Sequence, residues 1–400
     1  MSEVFEKIVA ELNLDRNDWQ LVKFGDIAIQ QKQTVDRENT ELTRYVKGEH
    51  MYSEDIHLRE WGELKDEYLG PAFIRKFEEG DILYGSRRTY LRKVVIAPFK
   101  GITSNTTFVI KANEEKIDKR LLPFIMLSEG FSQHSIKNSK GSVNPYVNWK
   151  DIAGYEFLLP SLTLQNKLSE LLSDLEVLKE TEICLRNKLQ TTYEAFIKEN
   201  CLNNKGSSTK LSEIIERLDS GVSVNSEEGE ITAEDKGILK TSAVSYGFFD
   251  PNEYKKVRAD ELTRLKGKVE KNTIIISRMN TYELVGANAY VEDIHDNLYL
   301  PDRLWQTHIS RKDINVKFLW LILSSKQYRA KISMLSSGTS NSMKNISKES
   351  FLSLKVYLPN KPYQDKIVGQ VEQIEKSKTD LSKKLEYLIK LNKSIINQVF

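Results

Sequence analysis

Residues 84 to 94 read YGSRRTYLRKV, holding Arg87, Arg88, Arg92 and Lys93 with no acid among them and with Tyr84 and Tyr90 interleaved. Arginine and lysine neutralise phosphates, and arginine, asparagine, glutamine and serine read base edges in the major groove, so these are residue types that DNA recognition needs. Residues 131 to 150 add Lys137, Lys140 and Lys150, again without an acid, among Ser135, Asn138, Ser139, Ser142, Asn144 and Tyr146. In the second half Lys326, Arg329, Lys331, Lys344 and Lys348 surround the polar run SSGTSNSMKN. Any one of these clusters also fits a solvated basic face. Their recurrence at equivalent places in both halves favours DNA. The expected contact residues are Lys32, Arg87, Arg88, Tyr90, Arg92, Lys93, Lys137, Lys140, Ser142 and Asn144 in the first half. In the second they are Lys240, Arg278, Asn280, Tyr282, Ser340, Asn341 and Lys344.

Catalytic groups are not found at working spacings. No GxGxxG, Walker A, HExxH or GxSxG stretch occurs, and His50, His57, His134, His295 and His308 form no ligand pair at helical spacing. Asn144-Pro145-Tyr146 resembles part of the Asn-Pro-Pro-Tyr motif of amino methyltransferases, but one proline is missing and no strand ends in a glycine-rich cofactor turn. Pro301-Asp302 lacks the acid-x-Lys that would complete a nuclease metal site. The expectation is a non-catalytic chain without a metal or cofactor of its own.

The 59 lysines and arginines nearly balance 57 acids, so attraction to a polyanion must come from local clustering. Cys184 and Cys201, the only cysteines, give neither a disulfide framework nor zinc spacing, which fits a reducing cytoplasm. The start, MSEVFEKIVAELNLDRN, carries acids where a signal peptide needs an apolar core, and FLWLIL at 318 to 323 is too short to span a bilayer. A soluble cytoplasmic protein without membrane partners is expected. A chain of 400 residues is long enough for two domains, each with its own core.

The chain is written twice. LPSLTLQNKL at 159 to 168 returns as LPNKPYQDKI at 358 to 367, pairing Pro160 with Pro359, Gln165 with Gln364 and Lys167 with Lys366. Upstream, GSVN at 141 to 144 answers GTSN at 338 to 341, and DILYGSRRTYLRKV at 81 to 94 answers TIIISRMNTYELVG at 273 to 286. VKFGDI at 22 to 27 resembles TKLSEI at 209 to 214. Agreement of order and spacing across four stations indicates tandem duplication. Runs such as KVVIAPF, TTFVIKA, NTIIISR and LKVYL, punctuated by Gly, Asn and Asp, predict strands with a few helices, hence an α+β body in each half. The organisation is 1–158 body, 159–203 helix, 204–357 body and 358–400 helix.

Both helices carry a heptad seam. In the first it runs Leu168, Leu171, Leu175, Leu178, Glu182, Leu185, Leu189, Thr192 and Phe196. In the second it runs Ile367, Val371, Ile374, Lys378, Leu381, Leu385, Leu388, Asn392, Ile395 and Val399, with Lys378 and Asn392 as polar positions suited to fixing register. Each stripe also fits an amphipathic helix packed on its parent body, but a stripe sustained over about five heptads with few glycines predicts a free-standing pair of long helices, each nearly 60 Å long at ~1.5 Å per residue.

The order of GDILYGSRRTYLRK, GSVNPYVNW, LPSLTLQNKL and a heptad helix, all then repeated, resembles the specificity subunits of type I restriction-modification systems over nearly the whole chain. The resemblance implies two target recognition domains, each reading half of a bipartite DNA site, on two helices that pair as an antiparallel coiled coil and act as a ruler. It also implies docking of two methylation subunits, which bring S-adenosylmethionine, and through them of restriction subunits. Divergent bodies, RYVKGEHMYSEDIHLREWGEL against ILKTSAVSYGFFDPNEYKKV, imply two different half-sites and an asymmetric target. The rival readings are a specificity module of another phage-defence methyltransferase and a coiled-coil scaffold that binds no DNA.

Overall fold

The computed structural model describes residues 16–203, 206–338 and 343–400. The chain forms two compact units, one running up to Leu185 and taking in Leu381–Phe400, the other spanning Arg186–Asp380. Both boundaries fall inside the long helices, Leu162–Ile197 and Lys361–Val399, because each unit builds its core from a body and from parts of both helices.

In the first unit the strands Ala28–Gln31, Thr107–Ala112, Ile82–Gly85 and Val94–Ile96 lie side by side, all antiparallel. A second sheet places Gly62–Glu63, Arg44–Val46, Gly101–Ser104 and Phe73–Phe77 in that order, with Arg44–Val46 parallel to Gly101–Ser104. The second unit repeats the plan. Arg217–Ser220, Leu304–His308, Thr273–Ser277 and Asn288–Val291 form its antiparallel sheet, and Gly237–Leu239 runs parallel to Leu298–Tyr299 in the other. The second sheets match at the centre and differ at the edge. Phe73–Phe77 flanks the parallel pair on one side, whereas Ser226–Glu227 is added on the opposite side in the second unit.

A two-stranded ribbon closes each body where its helix begins: Gln20–Lys23 with Glu156–Leu159, and Ser207–Lys210 with Lys355–Leu358. Proline follows each closing strand, at a position that needs no donor for the ladder. The duplicated glutamine then acts. The side-chain oxygen of Gln165 accepts from Asp118 N (3.0 Å) while its amide nitrogen donates to Pro160 O (2.9 Å). Gln364 accepts from Asn315 N (2.8 Å) and donates to Pro359 O (2.8 Å) and Asp313 O (3.1 Å). Both glutamines are almost wholly buried, so the motif that recurs through the sequence is a clamp between body and helix.

Apolar burial completes the attachment. Leu168, Leu172 and Leu175 of the first helix and Leu388, Leu391, Ile395, Ile396 and Val399 of the second join the first body's core around Phe24, Phe131 and Ile152. Ile197, Cys201, Ile367, Val368 and Val371 do the same around Phe318, Trp305 and Phe351. The helices run antiparallel. Asn392 donates to Glu176 (2.5 Å) and Lys384 pairs with Glu182 in the first unit, and Tyr363 donates to Asn200 (2.9 Å) in the second, where the Lys378 ammonium lies 4.7 Å from the Tyr193 ring centre. Asn392 and Lys378, the polar seam residues of the second helix, thus meet Glu176 and Tyr193 of the first, contacts that favour one register.

The buried stripe of the first helix is shifted from its heptad reading. Leu168 and Leu175 are buried and Leu171, Leu189 and Phe196 half-buried, but Leu178 and Leu185 are 47% and 45% exposed. Leu172, Glu176, Lys179 and Glu182 are buried instead. A straight helix repeats every 3.6 residues, so it drifts by about 20° per heptad from a 3.5-residue seam. Packing on a body as well as on a helix selects the straighter stripe. On the second helix Ile367, Val371, Leu385, Leu388, Ile395 and Val399 are buried, and Ile374 and Leu381 half-buried.

This shift predicts unequal costs for the leucines. Leu172→Ala should destabilise the full chain by about 2–5 kcal/mol, as for a fully buried leucine, and Leu178→Ala by about 0.5 kcal/mol or less. Urea unfolding of the two variants checks it, and equal losses would contradict the observed stripe.

Candidate nucleic-acid interface

In the first unit the strand Ile82–Gly85 runs into the turn Ser86–Arg92, whose middle is a 3₁₀ turn over Thr89–Leu91. Arg88 and Arg92, at φ of 49° and 48°, bracket it in the left-handed region that side chains other than glycine seldom adopt. The conformation is held from outside. Arg88 N donates to Pro145 O (2.6 Å), Val147 N to Ser86 O (2.9 Å) and Glu54 N to Arg92 O (3.1 Å). The loop carrying Pro145 is itself closed by reciprocal bonds between Lys140 and Tyr146, of 2.7 and 2.9 Å. Two stretches distant in sequence, RRTY and GSVNPY, are therefore bonded edge to edge.

What this surface presents is positive and polar. Arg87, Arg88, Tyr90, Lys137, Ser142, Asn144 and Tyr146 are exposed, and among the described residues Arg87, Arg88 and Lys137 have no acidic partner. Lys93 donates to Gly48 O (2.5 Å), and burial together with the like charge of Arg88 holds its ammonium below the usual lysine value. The charge of Arg87, Arg88 and Lys137 suits an anion site. Lys140 lies 3.6 Å from Asp151, and Lys32 is exposed just past the strand Ala28–Gln31. Arg92 does not belong with its neighbours. Its guanidinium is mostly covered and bonds Glu54 (3.1 Å) and Glu129 (2.6 Å), so it braces the turn instead of facing solvent.

The second unit repeats the junction with different side chains. Met279–Asn280 pairs with Lys344–Asn345, and Ile346 N donates to Arg278 O (3.0 Å). Tyr282 is exposed. Arg278 is partly engaged: it donates to Asp302 O (2.8 Å) and its guanidinium lies 5.9 Å from the Trp305 ring centre. Asn280 turns inward, bonding Ser277 and Thr281 N. Lys344 donates to Gly338 O (2.6 Å) and Lys240 pairs with Glu228 (3.2 Å). Ser340 and Asn341 lie outside the described residues.

Several lysines and arginines of the 326–348 cluster are taken up by the fold. Arg329 donates to Val285 O and Glu283 O, with burial bringing its guanidinium down to about 10, and Lys348 donates to Leu218 O (2.6 Å). Arg303 was not among the expected residues, yet it is exposed beside this junction, its carbonyl accepting from Arg278 N (3.0 Å). The pairing of Leu304–His308 with Thr273–Ser277 brings it there, a link that no local pattern in PDRLW announces.

Among the described residues no helix is long and apolar enough to cross a membrane. The chain is 22% identical to the MjaVIII type I specificity subunit of Methanocaldococcus jannaschii, over 95% of this chain and 91% of that one. Against the EcoEI specificity subunit of Escherichia coli it is 28% identical, over 44% of this chain but only 30% of that subunit. In fold it resembles the type I restriction-modification S subunit from M. genitalium, with a TM-score of 0.58 at 13% identity over 96% of each chain. It likewise resembles a chain from a structure on complex assembly and conformational transition of the type I R-M system, with a TM-score of 0.60 at 15% identity over 95% and 97%. The profile of the type I restriction modification DNA specificity domain matches residues 16–191 and again 228–391. With two matches covering most of its length, the chain belongs to the type I restriction-modification DNA specificity family and carries the domain in tandem.

Proposed function

We propose that the chain is the non-catalytic DNA-reading subunit of a type I restriction-modification complex, each body reading one half of a bipartite, asymmetric site. The observation that carries this reading is the repeated junction. In both units a turn after a sheet strand is bonded through its main chain to a polar loop, and in the first, where that turn is basic, Arg87 and Arg88 stand exposed without an acidic partner among the described residues. Different side chains on the same main-chain frame suit two different half-sites, and the differing sheet edges support the same asymmetry.

The helices set the gap between the half-sites and dock two methylation subunits, which supply S-adenosylmethionine; restriction subunits join through them. Docking is supported by the outward apolar residues of the first unit's helices, Val177, Leu178, Leu185 and Ile389, each between 45% and 64% exposed. Isolated apolar groups in water cost little, but four on helices already packed elsewhere suit further helix contact. The complex works in the cytoplasm, where its DNA is.

Replacing Arg87 and Arg88 together by alanine should flatten the salt dependence of duplex binding by about one unit of slope for each phosphate that the arginines neutralise, with stability changed by about 0.5 kcal/mol or less. Arg92→Ala should instead lower the melting temperature. An unchanged slope in the double variant would remove these arginines from the interface.

Adding one heptad to each helix should widen the unspecified gap of the preferred site by roughly three base pairs, since seven residues rise about 10 Å. Selection from randomised duplexes measures it, and an unchanged gap with undiminished affinity would end the ruler proposal. The purified chain alone should transfer no labelled methyl group to unmodified plasmid, and transfer by it would contradict the non-catalytic assignment.

A further inference from the structure

The loop 141–145 contains one residue that turn chemistry does not explain. Gly141, at φ +90°, supplies the left-handed corner, and Ser142, Asn144 and Pro145 are ordinary turn residues. Val143 is β-branched, disfavoured in turns, and 92% exposed at the tip. The loop has no slack that would let this side chain fold back. Lys140 and Tyr146 close it with two main-chain bonds, and Val147 N to Ser86 O and Arg88 N to Pro145 O fasten it to the arginine turn. Ser142 and Asn144 flank the valine, exposed, and neither side chain makes a hydrogen bond among the described residues. An apolar tip flanked by unengaged polar side chains, beside arginines that have no acidic partner among the described residues, suits a groove edge that combines hydrogen-bonding groups with a methyl, as that of an A·T pair does. That edge offers a row of donor and acceptor groups ending in the thymine methyl.

Resting on the DNA-reading function proposed above, we infer that Val143 is a specificity determinant of the first recognition domain, packing on the C5-methyl of a thymine in its half-site. Arg87 and Arg88 hold the neighbouring phosphates while the valine enters the groove. Its exposure leaves the free protein indifferent to the residue, because the apolar contact forms only with DNA.

The test removes one methyl from the ligand. Each dT of the selected site is replaced singly by dU, and affinity is measured for the parent chain and for Val143→Ala. One position should weaken binding of the parent about fourfold, the equivalent of ~0.8 kcal/mol for one buried methyl, and Val143→Ala should bind the dT and dU duplexes equally there. Sequence-specific binding in which no dU substitution matters, or in which Val143→Ala keeps the same dT preference, would overturn the assignment and leave the DNA-reading function standing. Absence of any sequence preference in the parent chain would overturn both.

Discussion

A single buried amide decides how each half of this protein is put together. The carbonyl before a helix and the amides of a neighbouring loop need partners once they are covered, and an unmet buried group costs about 1–3 kcal/mol. Gln165 and Gln364 meet these needs at once, bonding Pro160 O and Asp118 N in one unit and Pro359 O and Asn315 N in the other. No shorter side chain reaches both, and a carboxylate could not donate to the proline carbonyl. The clamp therefore explains why Leu-Pro and the glutamine five residues on recur as a set, while the residues between them, SLTL and NKPY, are free to differ.

What the clamp fixes locally, the polar residues of the helix seam fix in register. Glu176, Glu182 and Asn392 occupy buried positions of the helix pair that leucine could fill; Glu176 bonds Asn392 across the pair, and Glu182 is met by the more exposed Lys384. These cross-helix pairs favour one register, since a slip by one turn would leave the buried Glu182 carboxylate without Lys384, whereas Glu176 keeps Lys179 on its own helix. A second brace ties the first body to its helix: Arg59 bonds Asp55 (2.5 Å) and Glu180 (2.6 Å), and against its burial Asp55 is held well below the usual carboxylate range by His57 and Arg59. With polar groups taking part of the buried stripe, leucines at 178 and 185 are left on the outer face. The same helices thus combine cross-helix polar pairs with leucines that face outward.

Much of this was legible in the sequence because it is periodic or repeated. The two helices, the tandem bodies and the stations RRTY and GSVN needed no tertiary knowledge. Reading the helix seam at 3.5 residues per turn misplaced Leu178 and Leu185, because the helix packs on a body as well as on its partner. Nor could spacing separate Arg87 from Arg92. The acids that claim Arg92 lie at Glu54 and Glu129, far along the chain, and only folding brings them to it. Arg303 is illegible for the converse reason, since it reaches the junction through strand pairing with a segment about 25 residues earlier. Charge density can be read from a sequence, whereas its neutralisation depends on tertiary contacts.

The central claim is that each duplicated body reads DNA through the junction of the turn after its sheet strand with its polar loop. Backbone amide exchange of the full chain, free and bound to its selected duplex, tests this most directly. Protection should rise over residues 86–93 and 137–147 and over 278–282 and 344–346, with the clamp segments around Asp118 and Asn315 unchanged. Protection confined to the long helices, with both junctions exchanging as in the free chain, would contradict it.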